Sequence, residues 1–142
     1  MRLKLSLVLV FLMLFTLFAG ACGSPACGDS NWQDITWKLK SYGYPDNPQA
    51  IYGNGITLRF VSIDKSFNGT SGCNQYFGSY TISRSCVLKF SAMGSTLMAC
   101  VDNNLMQQEQ TYLDILKDAG KLEITGGEMR ITCGAKVLIF TQ

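Results

Sequence analysis

The sequence predicts an α+β domain: a strongly twisted antiparallel sheet, either open or closed into a partly open barrel, packed with one α-helix. Three observations carry this expectation. Apolar and polar residues alternate in several short segments, the period of a sheet with one wet face. One longer segment, Asp102 to Gly120, repeats its apolar residues at helical spacing instead. Two-residue turns containing glycine divide the end of the chain into three strands.

In chain order, Trp32 to Tyr42 alternates Ile35, Trp37 and Leu39 with Thr36, Lys38 and Lys40, which predicts a half-buried strand. Gly43 to Gly55 holds two prolines, Asp46 and Asn47, and is expected to be a long loop. Ile56 to Ile63 alternates again, with Ile56, Leu58 and Phe60 facing inward. Asp64 to Gly69 ends in Asn68-Gly69, a turn signal because both residues tolerate positive φ. Asn68-Gly69-Thr70 is also a glycosylation sequon, although the turn explains the same residues. Ser79–Ser83 and Cys86–Ser91 form a hairpin around Arg84, with Ile82 expected opposite Cys86.

The helix is expected to start at an N-cap among Asp102, Asn103 and Asn104 and to end at Gly120. Leu105, Tyr112, Leu113, Leu116 and Ala119 share its apolar face. The last strands are Lys121–Thr125, Glu128–Cys133 and Lys136–Thr141. Turns at Gly126-Gly127 and Gly134-Ala135 set Ile124 against Met129, Leu122 against Ile131, Ile131 against Leu138 and Met129 against Phe140. Every one of these apolar side chains then lies on the same face.

The first residues point to export. Met1-Arg2-Leu3-Lys4 is basic, Leu5–Phe18 is an apolar run of 14 residues broken by Ser6 and Thr16, and Ala19-Gly20-Ala21-Cys22 is small. This is the pattern of a signal peptide over residues 1–21, too short for a comfortable permanent span. Ala19-Gly20-Ala21 suits general signal peptidase. Cys22 also resembles a lipid-attachment cysteine, with Ala19 where a leucine is usual. Residues 22–31 are small and polar, as a tether from an anchor to the domain at 32–142 would be. The expectation is a lipoprotein of the cell envelope, anchored in the membrane through Cys22; without lipid it would be periplasmic or secreted.

Composition excludes several classes of function. Arg2 and Lys4 account for two of the 12 basic residues, which leaves ten against ten acidic ones in the exported part. Scattered charge with no net excess argues against nucleic acid as a partner. Histidine is absent, which removes His-based triads and His-ligated metal sites. The six cysteines, Cys22, Cys27, Cys73, Cys86, Cys100 and Cys133, show no CxxC spacing, so neither a zinc ribbon nor a thioredoxin-type site is expected. In an exported chain, pairs of them should oxidise.

Three strings occur together in one order. Trp37-Lys38-Leu39 opens the first strand. Gly72-Cys73-Asn74 continues through Gly78 to Tyr80. Ser95-Thr96-Leu97-Met98-Ala99-Cys100 leads to Gln108-Glu109-Gln110-Thr111-Tyr112-Leu113. In this order they resemble the META domain, the family that includes HslJ-type envelope proteins, over roughly Asp34 to Phe140. The segment Gly43–Gly55 and Cys27, Cys86 and Cys133 lie outside that pattern. The resemblance implies an exported α+β domain, often on a lipoprotein, linked to envelope stress tolerance and carrying no catalytic residue set.

Within those strings, Gly72, Cys73, Asn74, Gly78, Tyr80, Thr96 and Glu109 are the motif residues. Cys73 and Cys100 are expected to form a structural disulfide worth roughly 3 kcal/mol by loop-closure entropy. Cys86 and Cys133 are candidates for a second. With Cys22 lipidated, Cys27 is left odd, free or paired between molecules; otherwise Cys22–Cys27 becomes possible. Glu109 lies mid-stripe on the helix, where a carboxylate needs hydrogen bonds or a raised pKa. Backbone amides, Asn74 or the Thr96 hydroxyl are its expected donors. Tyr76, Phe77 and Tyr80 offer a binding surface, but core packing is the simpler reading.

The expected function is that of a non-enzymatic binding or structural module with an envelope protein or peptide as partner and no cofactor or metal. Protease inhibition is one form it could take. The alternative is a small-ligand or lipid carrier, which needs an unfilled barrel; a hydrolase centred on Glu109 needs a second acid beside it.

Overall fold

The computed structural model describes residues 27–28, 31–53 and 55–142. The leader, Cys22 and most of the tether lie outside the described residues. Nine strands form one antiparallel sheet: β1 (Thr36–Tyr44), β2 (Asn47–Ala50), β3 (Thr57–Phe60), β4 (Ser66–Thr70), β5 (Gln75–Ile82), β6 (Leu88–Ser95), β7 (Ala119–Thr125), β8 (Glu128–Cys133) and β9 (Lys136–Thr141). One helix, α1 (Asn103–Lys117), lies between β6 and β7 in sequence. The strand order is β6-β5-β4-β3-β1-β9-β8-β7, with β2 paired to β1 off this path.

The sheet curls until its two edges meet. Val87 bridges to Lys121, and Leu122 donates its N–H to Cys86 O at 2.8 Å. Register shifts at Leu39/Ser41, Phe77/Ser79 and Ala119/Leu122 bend the strands, the means by which sheets turn barrel corners. The expected α+β class with a strongly curled sheet and one helix therefore holds. Trp37, Ile56, Leu58, Phe60, Leu88, Tyr112, Leu116, Met129, Leu138 and Phe140 are wholly buried between sheet and helix. Leu58 and Phe60 reach that core as the inward half of an alternating strand.

The C-terminal registers are those expected: Ile124↔Met129, Leu122↔Ile131, Ile131↔Leu138 and Met129↔Phe140. Several other expectations need correction. Gly43–Gly55 is not all loop, because Asn47–Ala50 pairs with Ser41–Tyr44. All four residues of β2 are exposed, so no alternation marks it. Asn68-Gly69 is not a turn but mid-strand, paired with Phe77 and Tyr76. A Cβ on Gly69 would stand 2.0 Å from Thr57 O, so the glycine serves a close strand approach. The turn falls earlier, with Lys65 at φ 57. Ile82 faces Leu88 rather than Cys86; a slip of two residues leaves the same side chains inward.

The helix starts as expected. Asp102 is the N-cap, its Oδ1 accepting from Asn104 N at 2.8 Å. It ends earlier, at Lys117 with Asp118 as C-cap, and Ala119-Gly120 belong to β7. Its buried residues are Gln108, Tyr112, Ile115 and Leu116, while Leu105 and Leu113 are only half-buried. The inward face is thus rotated toward Gln108, and Glu109 stands at its edge.

Candidate functional site

The motif residues Asn74, Thr96 and Glu109 converge where the β4–β5 turn, the segment after β6 and the first turns of α1 meet. Glu109 Oε2 accepts from Ser71 Oγ at 2.7 Å and from Asn74 N at 2.8 Å, and its Oε1 accepts from Asn74 Nδ2 at 2.7 Å. Asn74 Nδ2 also donates to Met98 O at 3.3 Å. Asn74 Oδ1 accepts from Thr96 Oγ and Met98 N, both at 2.8 Å. Both donors and both acceptor sites of the Asn74 side chain are therefore filled. Thr96 reaches Glu109 only through Asn74.

Burial pushes the Glu109 carboxyl up, but donation from Ser71, from the Asn74 backbone and side chain, and from the Cys73 backbone outweighs it. The group sits below its ordinary value of 4.5. It is an anion at neutral pH, held by donors, and poorly suited to give up a proton. No group of three or more metal-ligating side chains occurs among the described residues.

Cys73 and Cys100 are bonded, with Cα atoms 6.1 Å apart, and close the same junction covalently. The second disulfide joins Cys27 to Cys86, Cα atoms 5.4 Å apart. It corrects the expected Cys86–Cys133 pair and leaves neither a free Cys27 nor a Cys22–Cys27 bridge. Cys86 lies in the β5–β6 turn at φ 62, on the sheet seam, whereas Cys133 is buried on β8. Burial first, then the nearby Asp118 charge, pushes the Cys133 thiol up to about 12, so it stays protonated and inert. The two bridges suit a periplasmic or extracellular compartment. No helix among the described residues is long and apolar enough to cross a membrane.

The motif aromatics divide. Tyr76 and Tyr80 are buried, but Phe77 is 55% exposed. Tyr76 donates to Thr57 O at 2.7 Å, and its oxygen lies 2.6 Å from Tyr112 Oη, which leaves Tyr112 as donor to it. Burial holds both phenols well above their ordinary range. Tyr80 meets the Gln33 side chain. Gly72 opens the Ser71–Asn74 turn at φ 110. Gly78 is forced, because a Cβ there would meet the Phe67 ring at 2.7 Å and Ser91 O at 2.8 Å.

A family model of the META domain matches residues 30–142. The chain belongs to the META domain family. This META domain is similar to a protein from Burkholderia xenovorans solved by NMR, at 28% identity and TM-score 0.65, covering 78% of this chain and 82% of that one. A second NMR structure, at 20% identity and TM-score 0.58, covers 77% and 89%. A DUF4847 family protein from Bacteroides vulgatus, solved by crystallography, is 11% identical with TM-score 0.55 and covers 78% and 94%. The last two share the fold alone. No curated protein matches the chain.

Sequence reasoning missed Ser71 and Gln108 in this META domain. Both are polar and buried. Ser71 adjoins the Gly-Cys-Asn string, the only signal that marked it. Gln108 lies four residues before Tyr112, on the face that packs inward.

Around this clamp of Glu109, Asn74 and Ser71, closed by Cys73–Cys100, Leu97, Met98 and Val101 are exposed by 95%, 60% and 105%. Met106, on the first turns of α1, is 46% exposed. This apolar segment is short, yet tied at Thr96, Met98 and Cys100 by the contacts above.

Proposed function

We propose that this META domain protein is an exported, envelope-associated lipoprotein, anchored through Cys22, that works by binding a protein partner rather than by catalysis. Tolerance of envelope stress is the role this reading suits. The observation that carries it is the Leu97–Val101 segment, which exposes large apolar side chains while a disulfide and the Asn74 side chain hold its backbone. Exposed apolar surface that is held in place marks an interaction site more often than a solvated loop does.

Tether geometry favours a protein over the bilayer as the occupant. Cys27 is bonded to Cys86 just before the start of β6, and Leu97–Val101 follows its end. Eight strand residues span about 26 Å. The five residues from Cys22 to Cys27 reach about 18 Å at most. A tether this short keeps the seam close to the membrane, and the apolar segment lies at the other end of β6.

A non-enzymatic role is supported by the state of Glu109, whose oxygens are occupied and whose carboxyl is depressed. The carrier alternative is disfavoured, because Trp37, Tyr76, Tyr112 and Phe140 fill the space a cargo would take.

Photo-crosslinking from the intact, anchored protein tests the reading. A crosslinker at Leu97 or Val101 should capture a discrete protein that a crosslinker at exposed Lys89 does not. The same products from all three positions, or none from any, would refute it. Mass spectrometry of the mature N-terminus checks the anchor separately; an unmodified Cys22 would remove it.

A further inference from the structure

Beside α1, on the side of the β1–β2 hairpin, lies a groove of about 330 Å³ that none of the foregoing uses. It lies near the small end of the range of ligand pockets, roughly 300–1,000 Å³. Its helix side is Asn104, Gln107, Gln108 and Thr111, spaced i, i+3, i+4 and i+7 along one face. Gln49 and Tyr52 face them from the hairpin side. No charged side chain lines it.

Tyr52 is built in place. Gln108, only 5% exposed, accepts from Tyr52 N at 2.7 Å and donates to Tyr52 O at 3.0 Å. The phenol donates to Asp102 Oδ2 at 3.0 Å. Both ends of the residue are fixed, yet half of its surface, 50%, remains open. Gln108 satisfies both backbone groups of Tyr52, and with the phenol held by Asp102 this pre-organises an aromatic platform. Gln49, Asn104 and Gln107 are exposed next to it.

We infer that this groove binds a neutral saccharide. Carboxamides each offer donors and acceptors, which matches vicinal hydroxyls that do both. A tyrosine face gives a sugar ring its apolar contact while the phenol stays hydrogen-bonded. The lining offers no cation to a phosphate or carboxylate, the Asp102 carboxylate beside it is taken up by the Tyr52 phenol and Asn104 N–H, and the polar lining disfavours an acyl chain. The site is independent of the Leu97–Val101 surface, so either can fail alone.

Calorimetric titration of the purified, disulfide-intact protein with chitotriose and maltotriose tests this, with inorganic phosphate as the charged control. At least one trisaccharide should bind with Kd of about 1 mM or tighter. The Asn104→Ala/Gln107→Ala variant should weaken that at least tenfold with its melting temperature nearly unchanged. Tyr52→Ala should do the same. Absence of binding by both trisaccharides, stronger binding of phosphate, or affinity unchanged in both variants would overturn the proposal.

Discussion

The two ends of the barrel are each stapled by a disulfide, but they differ in what stands behind the staple. At the clamp end, Cys73–Cys100 closes a separation of 27 residues that Glu109, Asn74 and Ser71 already hold with charge-assisted hydrogen bonds. At the seam end, Cys27–Cys86 closes 59 residues, and among the described residues the bond is accompanied by the backbone contact from Ile124 N–H to Cys27 O at 3.1 Å and by packing of Cys27 against the core, with no side-chain hydrogen-bond network. One end is redundant and the other is not. The redundant end carries the exposed apolar segment, where a fixed shape has a use. The seam needs only a covalent link to the tether.

The largest effect should come from the unsupported staple. Replacing Cys27 and Cys86 by serine together should cost about 4 kcal/mol by loop-closure entropy, against about 3 kcal/mol for the Cys73/Cys100 pair. Denaturant unfolding of the two double variants measures both; a larger loss at the clamp end would reverse the contrast.

Glu109→Leu comes next. It leaves Asn74 N and one Asn74 Nδ2 hydrogen without an acceptor, while Ser71 Oγ can turn to Asn74 O at 2.9 Å, and should cost about 3 kcal/mol. Glu109→Gln keeps one acceptor oxygen and should cost about 1 kcal/mol. A leucine variant as stable as the glutamine one would show that the clamp contributes no specific pairing.

Acid should loosen the same end. The folded Glu109 carboxyl lies below 4.5, so its stabilisation is complete above the unfolded value and is lost as pH falls from about 4.5 through the folded value. Stability measured from pH 6 downward should decline more steeply in the wild type than in Glu109→Gln; parallel curves would remove Glu109 from the acid response. The smallest effect belongs to the core tyrosines. Tyr112→Phe removes one hydroxyl while Tyr76 keeps its bond to Thr57 O, so a loss of about 1 kcal/mol is expected. Thermal melting checks it, and Tyr76→Phe, which strands two partners, should cost more.

How much of this was legible follows the range of the interactions. The β7–β8–β9 registers were readable because two-residue turns fix the pairing and alternation fixes the face. The Glu109–Asn74 contact was readable because a carboxylate near an apolar stripe demands donors. Asn68-Gly69 misled, since local turn chemistry is overridden by the approach of Gly69 to Thr57, which no neighbouring residue announces. The strand at Asn47–Ala50 has no buried side chain to betray it. Cys27–Cys86 required knowing that the sheet curls far enough to bring β6 and β7 together. Gln108 was hidden by its own polarity: a helical projection sets it beside Ala119 and Tyr112, but a glutamine there does not announce burial.

The clamp holds Leu97–Val101 as a fixed apolar surface. Backbone ¹⁵N relaxation of the oxidised protein tests it most directly. Order parameters at Leu97, Met98 and Val101 should be about 0.85, as in the strands. Values below about 0.6 there would describe a free loop and contradict the account.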